Sequence, residues 1–316
     1  MAMTTHSEEA QALFARLLEA SPVTGRHVEL ASGRRAHVIE AGAGDPLVML
    51  HTGGTSSLLF LPLIERLTGL RVIAVDRPGF GLSDPVDFTR HGFRSDVVTW
   101  TSHLLDALGL EHTALLGSSM GGAWSLWYAM EHPERVRRLV LAGAVPMAPG
   151  ARMPTALRMM FGLMITPGVG PLVSRMLEPS PTSVVKMMSF FGEGESVLDH
   201  PEQIDAQVVL GKDPVVAQAN VAEMRAVGSM SGSLRREFVL QPEELARLRV
   251  PTLIVWGEHD PIGDPTVARA LADAIPGARL ELLPTAHMPW FAEPDRTAEL
   301  VASFVREPEP VAVLAS

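Results

Sequence analysis

Short, continuously apolar runs alternate with longer amphipathic stretches along the first half of the chain. Such runs are typical of strands that are buried on both faces of a parallel sheet. The stretches Phe93 to Leu108 and Met120 to Glu131 have helical spacing. This strand, helix, strand order predicts a parallel sheet, whose strands here are Pro46 to Leu50, Val72 to Val75, Thr113 to Leu116 and Val136 to Leu141.

The N-terminal part has a different pattern. Glu8 to Leu18 has the spacing of a short amphipathic helix. Two short β-like runs follow, Arg26 to Leu30 and Arg35 to Glu40, and the turn residues Ala31 to Gly33 separate them. We expect this pair to form antiparallel edge strands of the same sheet.

The alternation breaks after Val145, where a region rich in Met, Pro and Gly has helical spacing and no convincing strand. It resumes with strands at Thr252 to Trp256 and Arg279 to Leu283, and with helices near Pro265 to Ala274 and Arg296 to Val305. We therefore predict an α/β core domain at residues 1–145 and 250–316, with a mostly parallel eight-stranded sheet, and a helical cap inserted at residues 146–249. Methionines and phenylalanines of the cap either line a flexible apolar pocket or pack on the sheet: Met159, Met160, Phe161, Met164, Met176, Met187, Met188, Phe190 and Phe191.

Composition excludes several classes of function. The net charge is -10 and basic residues occur at most in pairs, which argues against a nucleic-acid partner. The chain has no cysteine, so disulfides and thiolate chemistry are excluded. The first 20 residues lack the pattern of a secretory signal, and glycines or prolines interrupt the longest uncharged stretches. We expect a cytoplasmic protein with no membrane span, a small-molecule substrate, and an oligomeric state that the sequence leaves open.

The pentapeptide Gly117 to Gly121 lies where a predicted strand ends and a helix begins. A G-x-S-x-G sequence places its serine on a sharp strand-to-helix turn, because small flanking residues let the backbone bend and expose the hydroxyl. Ser119 is therefore a candidate nucleophile.

A serine hydroxyl needs a base within hydrogen-bond reach and an acid that orients the base. Catalytic groups of a parallel sheet gather outside the carboxyl ends of its strands. Asp260 and His287 follow the last two predicted strands, so we predict them as acid and base. The alternative role of Asp260 is a turn carboxylate that caps the following helix, and Asp264 competes with it for either role. His51 and His259 compete with His287.

An oxyanion intermediate needs two N–H donors, and the residue after the nucleophile, Met120, supplies one at a helix N-terminus. The second is expected from the loop His51 to Thr55, where glycines allow close backbone approach. We predict the Gly53 amide, with Gly54 as the alternative. His and carboxylate residues lack the spacing of a metal site, so no metal and no cofactor are predicted.

Motifs in this order resemble the α/β-hydrolase fold enzymes over roughly residues 35 to 305, apart from the cap. The family usually has His-Gly where this chain has His51-Thr52, and Gly where it has Ala286. The resemblance implies a Ser-Asp-His triad, and a serine at the nucleophile position disfavours the haloalkane dehalogenases and epoxide hydrolases of this fold, which use Asp. The stretches that carry the resemblance are His51-Thr52-Gly53-Gly54, Asp76 to Asp84, Gly117 to Gly122, His132 to Val136, Gly257 to Asp260 and Ala286 to Pro289.

Three functions fit these residues. The first is a serine hydrolase that cleaves a carboxylic ester or thioester through an acyl-enzyme, with an apolar substrate moiety under the cap. The second is a carbon–carbon bond hydrolase, because the nucleophile region is similar to that of the meta-cleavage product hydrolases. That group usually has Asn where this chain has Ser118, and an oxyanion loop richer in Gly and containing Pro, so we rank it second. The third is a receptor that binds a small ligand without turnover. We interpret Asp76 to Gly79 as a structural turn held by an ion pair.

Overall fold

Eight strands form one sheet in the computed structural model, which describes residues 5–88, 91–166, 168–169, 178–229 and 231–308. The spatial order is β1-β2-β4-β3-β5-β6-β7-β8, and this is the sheet of the α/β-hydrolase fold. The strands are β1 (Thr24–Glu29), β2 (Arg35–Ala41), β3 (Asp45–Leu50), β4 (Leu70–Val75), β5 (Thr113–Ser118), β6 (Val136–Ala142), β7 (Thr252–Gly257) and β8 (Arg279–Leu283).

The predicted parallel sheet is confirmed, because β4, β3, β5, β6, β7 and β8 pair in parallel in that order. The prediction of two edge strands is wrong for β2. That strand pairs antiparallel with β1 on one side and with β4 on the other, so only β1 lies at this edge. Arg35, the first residue of β2, is exposed, as is common in an edge strand. The next four residues, Ala36 to Ile39, are buried.

Apolar side chains alternate between the two faces of the sheet and build a core on each side. Along β3, Val48 and Leu50 belong to one core, whereas Leu47 and Met49 belong to the other. The first core is covered by the helices Phe93–Ala107, Met120–Glu131 and Pro265–Ala274, and the second by Glu8–Glu19 and Pro294–Arg306. Both layers leave the carboxyl ends of the parallel strands free for a site.

Between β6 and β7 the described residues form helices only, as the sequence predicts for the cap, apart from one bridge between Gly228 and Leu234. The limits 146 and 249 of a separate domain stay a prediction. Of the cap methionines, Met188 is buried and Met159 is exposed, and Met176 lies outside the described residues. The helices of this region are Thr155–Ile165, Pro181–Ser189, Pro201–Lys212, Pro214–Val227 and Pro242–Leu245.

His6 in the N-terminal segment contacts both the cap and the core, and the Ser7 N–H donates to the same cap residue, Asp213, over 2.7 Å. His6 Nδ1 lies 3.3 Å from Asp213 Oδ1, and its Nε2 lies 2.9 Å from the Ser83 carbonyl oxygen. Both ring nitrogens donate only in the protonated form. Burial lowers the pKa of His6, but the hydrogen bonds to Asp213 and to the Ser83 carbonyl, together with the charges of Asp213 and Asp76, outweigh burial, and the net pKa is raised.

Among the helices in the described part of the chain, none is long and apolar enough to cross a membrane.

Candidate active site

Ser119 sits in a strained backbone conformation between β5 and the helix Met120–Glu131. Its φ is 52° and its ψ is -113°, and it is the only non-glycine residue of the described segments with a positive φ. Such a conformation costs about 1–3 kcal/mol and persists only where the surroundings fix it. The packing of Gly121 does so, because a β-carbon there would lie 2.5 Å from the carbonyl carbon of Leu50. The sharp turn expected for the candidate nucleophile is present.

Asp260 and His287 form a buried pair, as the sequence predicts. His287 Nδ1 donates to Asp260 Oδ2 over 2.8 Å. The carboxylate also accepts the Ala144 N–H at Oδ2 and the Ile262 N–H at Oδ1, each over 2.9 Å. Three donors therefore fix the acid, and the acid fixes the proton of His287 on Nδ1.

The opposite nitrogen of that ring, Nε2, is buried and has no hydrogen-bond partner among the described residues. The loop that carries it crosses the end of β6, where a β-carbon at Gly143 would lie 3.8 Å from His287 Nδ1. Strand β6 is the neighbour of β5, the strand that ends beside Ser119. The fold thus brings the loop that carries His287, the predicted base, close to the strand end that carries Ser119, and the structure shows no hydrogen bond between the two side chains.

One influence lowers the pKa of His287 and three raise it. Burial lowers the pKa, but the charge of Asp260, the hydrogen bond to it and the charge of Glu193 raise it, and the net pKa is raised. A raised pKa favours the imidazolium that forms when a base takes a proton.

The competing residues lie elsewhere. Asp264 is exposed, and its Oδ1 accepts the Thr266 N–H at the start of the helix Pro265–Ala274, which is the helix-cap alternative. His259 is exposed on the surface. His51 is fully buried, and burial together with the charge of Arg77 lowers its pKa to about 3, so it stays neutral.

The oxyanion loop is held through a carbonyl group. The Thr52 oxygen accepts from His51 Nδ1 over 2.8 Å, from Thr55 Oγ1 over 3.0 Å and from Arg77 Nη2 over 3.1 Å. A β-carbon at Gly53 would lie 3.9 Å from Met120 Cβ, so the two predicted amide donors are adjacent. Within the described segments, neither N–H of that pair donates a hydrogen bond. Two free, adjacent donors are what an oxyanion requires.

The charged turn after β4 is held by an ion pair, as interpreted from the sequence, and the partner of that pair lies outside the turn. Asp76 is buried and accepts from His37 Nδ1 over 2.8 Å, whereas Arg77 forms an ion pair with Glu223 of the cap. Burial raises the pKa of the Asp76 carboxyl, but the hydrogen bonds from His37 and the Ser57 N–H, together with the charges of His37 and His51, outweigh burial, so the net pKa is lowered. No local pattern pairs residues this far apart along the chain.

A second cap carboxylate, Glu193, lies beside the base. It is buried, its Oε1 accepts the Met288 N–H over 2.6 Å, and burial raises its pKa. Phe191 stacks on His287 with ring centroids 5.2 Å apart, and its carbonyl accepts the His287 N–H over 3.3 Å. From the sequence, Phe191 was predicted only as a cap residue and Glu193 was not predicted at all. Both residues come close to His287 only when the cap packs on the core.

The described segments contain no group of three His, Asp or Glu residues that could hold a metal ion. The arrangement that remains is a serine, a buried acid–base pair and two amide donors.

Comparison with known proteins agrees with this architecture. Residues 45–294 match the model of the alpha/beta hydrolase fold family. A 2-hydroxy-6-oxononadienedioate/2-hydroxy-6-oxononatrienedioate hydrolase of Cupriavidus pinatubonensis is 31% identical over 82% of this chain and 87% of its own. A 2-hydroxymuconate semialdehyde hydrolase of a Pseudomonas species is 30% identical over 93% of this chain and 98% of its own.

Solved structures show the same fold. A carboxylesterase of Bacillus subtilis superposes with a TM-score of 0.72 at 22% identity, over 95% of this chain and 99% of its own. A meta-cleavage product hydrolase of Pseudomonas fluorescens superposes with a TM-score of 0.68 at 21% identity, over 89% of this chain and 97% of its own. The chain therefore belongs to the family of α/β-hydrolase fold enzymes and is a hydrolase.

Proposed function

We propose that this enzyme hydrolyses a carbon–carbon bond of a vinylogous 1,5-diketone, the type of compound that ring cleavage of a catechol yields. The observation that carries this proposal is the agreement among the curated relatives. Eight of them, 27–31% identical over 75–93% of this chain, are each named as hydrolases of a 2-hydroxy-6-oxo dienoate or of 2-hydroxymuconate semialdehyde. This reverses the order expected from the sequence, in which ester cleavage came first.

The site supports a nucleophilic mechanism. Ser119 Oγ forms a bond to the ketone carbon while His287 Nε2 takes its proton, and Asp260 holds the imidazolium that results. The Gly53 and Met120 amides stabilise the oxyanion. When the carbon–carbon bond of the diketone breaks, the electron pair stays on the carbon next to the cleaved carbonyl and is delocalised into the conjugated 2-oxo-enoate, and that carbon takes the proton from His287. Water then hydrolyses the acyl-enzyme.

Ester cleavage is the second candidate, and a specific feature favours it. Ser118 stands where the meta-cleavage enzymes usually have Asn, and its buried hydroxyl has no partner among the described residues. One buried cap carboxylate without a cationic partner in the described residues, Glu193, also lies beside His287, because it accepts the N–H of Met288. Negative charge there disfavours an anionic dienoate relative to a neutral ester. The third alternative, a receptor without turnover, has less support because the curated relatives are named as hydrolases.

Turnover of two substrates by wild type and Ser119→Ala tests the proposal. We expect 2-hydroxy-6-oxo-6-phenylhexa-2,4-dienoate to be cleaved with a higher kcat/KM than 4-nitrophenyl butyrate. Ser119→Ala should lower kcat for both by about 10³-fold or more, because the oxyanion donors alone retain little activity.

The matched control is Ser125→Ala, which removes another buried and unpaired hydroxyl from the following helix. A fluorophosphonate should label wild type and the control at Ser119. Efficient ester cleavage with negligible dienoate cleavage would favour the second candidate. Unchanged turnover in Ser119→Ala would reject both.

A further inference from the structure

We propose that Arg77 is a positioning residue of the oxyanion hole and that the cap holds it in place through Glu223. The inference rests on the proposed function, since it concerns the Gly53 amide of the same site. Arg77 follows β4, and Glu223 lies on the cap helix Pro214–Val227.

The guanidinium of Arg77 is completely enclosed. It is stacked between two rings, with Cζ 4.9 Å from the centroid of Phe80 and 4.9 Å from that of Trp124. Arg77 has no exposed surface, and the side chain of Glu223 is 8% exposed. Nη1 donates to Glu223 Oε1, and Nη2 donates to Glu223 Oε2 over 3.2 Å. Two rings and a bidentate carboxylate therefore fix the plane of the guanidinium.

The same Nη2 also donates to the Thr52 carbonyl oxygen over 3.1 Å. That oxygen and the N–H of Gly53 belong to one peptide group, and the described residues contain no cis peptide bond. In a planar trans peptide the C=O and the N–H point in opposite directions. A bond that holds the Thr52 oxygen on the side of Arg77 consequently turns the Gly53 N–H toward the opposite side, away from the guanidinium.

The backbone of Arg77 reinforces this orientation through His51. The Arg77 N–H donates to His51 Nε2 over 2.9 Å, so Nε2 is the unprotonated nitrogen of the ring. The proton of the neutral imidazole is then on Nδ1, and it is donated to the Thr52 oxygen over 2.8 Å. Arg77 thus acts on this carbonyl twice, once directly and once through the tautomer of His51.

Charge gives the ion pair a second role at this site. A β-carbon at Gly53 would lie 3.6 Å from Glu223 Oε2, so a cap carboxylate is close to the expected oxyanion. An unpaired carboxylate there would oppose the developing negative charge. Arg77 neutralises it, and the oxyanion hole is complete only when the cap helix is docked on the loop.

Two arginines that pair with glutamates make a matched experiment. Arg94, on the core helix Phe93–Ala107, pairs with Glu244 and lies 5.9 Å from the ring of Trp127, away from the catalytic loops. Arg77→Met and Arg94→Met would be compared in the full chain by thermal unfolding, by kcat and KM with 4-nitrophenyl butyrate and the dienoate, and by inhibition with phenylboronic acid, which forms a tetrahedral serine adduct.

For Arg77→Met we expect kcat to fall about 10²-fold with both substrates, as for the loss of one oxyanion donor, while KM for the neutral ester changes less than about threefold. The affinity for phenylboronic acid should fall with kcat. Arg94→Met should keep wild-type kcat. Glu223→Gln, which keeps the shape of the side chain but not its charge, should lower kcat about tenfold, and it serves as the second variant if Arg77→Met does not fold.

Equal losses in the Arg77 and Arg94 variants would overturn the inference, since they would show a general effect of cap–core pairing. A rise in KM confined to the dienoate would also overturn it, because Arg77 would then bind the substrate carboxylate. Ser119→Ala distinguishes failure of this inference from failure of the proposed function. If Ser119→Ala is inactive and Arg77→Met is unaffected, only the role of Arg77 is rejected. If Ser119→Ala is active, the proposed function is rejected.

Discussion

Replacement of Asp260 by Asn tests the acid directly, because the structure shows what each carboxylate oxygen does. Oδ2 accepts from His287 Nδ1 and from the Ala144 N–H, and Oδ1 accepts from the Ile262 N–H. An Asn amide has one oxygen and one NH₂ group. With the NH₂ at the Oδ2 position, two donors would face it. With the NH₂ at the Oδ1 position, only one donor, the Ile262 N–H, would face it. We therefore expect the Asn side chain to place its oxygen at the Oδ2 position and its NH₂ at the Oδ1 position.

In that orientation the tautomer of His287 is kept and the negative charge is lost. Two unit charges about 4 Å apart interact by about 4 kcal/mol at an effective dielectric constant of 20. Each 1.36 kcal/mol is a factor of ten in rate, so we expect kcat of Asp260→Asn to fall about 10³-fold. The buried Ile262 N–H loses its acceptor, which should lower the free energy of unfolding by about 1–3 kcal/mol.

The measurements are kcat with the substrate that wild type prefers and urea unfolding of both proteins. Asp264→Asn is the matched control, because Asp264 is exposed, caps the next helix and is replaced by an equally good capping residue. We expect its kcat to stay within about twofold of wild type. The reasoning is refuted if Asp260→Asn retains more than about a tenth of wild-type kcat, or if Asp264→Asn shows the larger loss.

Three further predictions concern packing and pH. Gly121→Ala forces a β-carbon to 2.0 Å from the carbonyl oxygen of Leu50 at the end of β3, so we expect it to destabilise the fold by about 1–3 kcal/mol and to reduce kcat. A β-carbon at Gly122 would lie no closer than 3.0 Å to Val145 Cγ2 and 3.2 Å to the Gly117 carbonyl oxygen, so Gly122→Ala should cost less in urea unfolding. Glu193→Gln removes a negative charge that raises the pKa of His287, so the acidic limb of the plot of kcat against pH should shift to lower pH. An acidic limb at the wild-type pH would contradict this. Since folding raises the pKa of His6 above 6.5, its stabilisation is fully present below that pH and is lost as pH rises through the folded value. The difference in unfolding free energy between wild type and His6→Gln should accordingly shrink above that range, and a constant difference would contradict the assignment.

Elements whose signal is local could be predicted from the amino-acid pattern. Continuous apolar runs predicted the strands, and the helices Met120–Glu131 and Pro265–Ala274 begin and end where the pattern indicated. The nucleophile turn is equally local, because small residues on both sides of Ser119 permit a φ of 52° there. The loop positions of Asp260 and His287 followed from the strand order, since parallel strands present their carboxyl ends at one edge.

Tertiary structure alone decided the interior place of β2 and the partners of the buried charges. Arg77 and Glu223 are 146 residues apart, and Glu193 reaches the backbone of Met288 across 95 residues. Nothing in the local pattern of either residue specifies such a partner. A buried charge is tolerated only where folding supplies an opposite charge or hydrogen-bond donors, and the docking of the cap helices on the strand ends determines which groups those are.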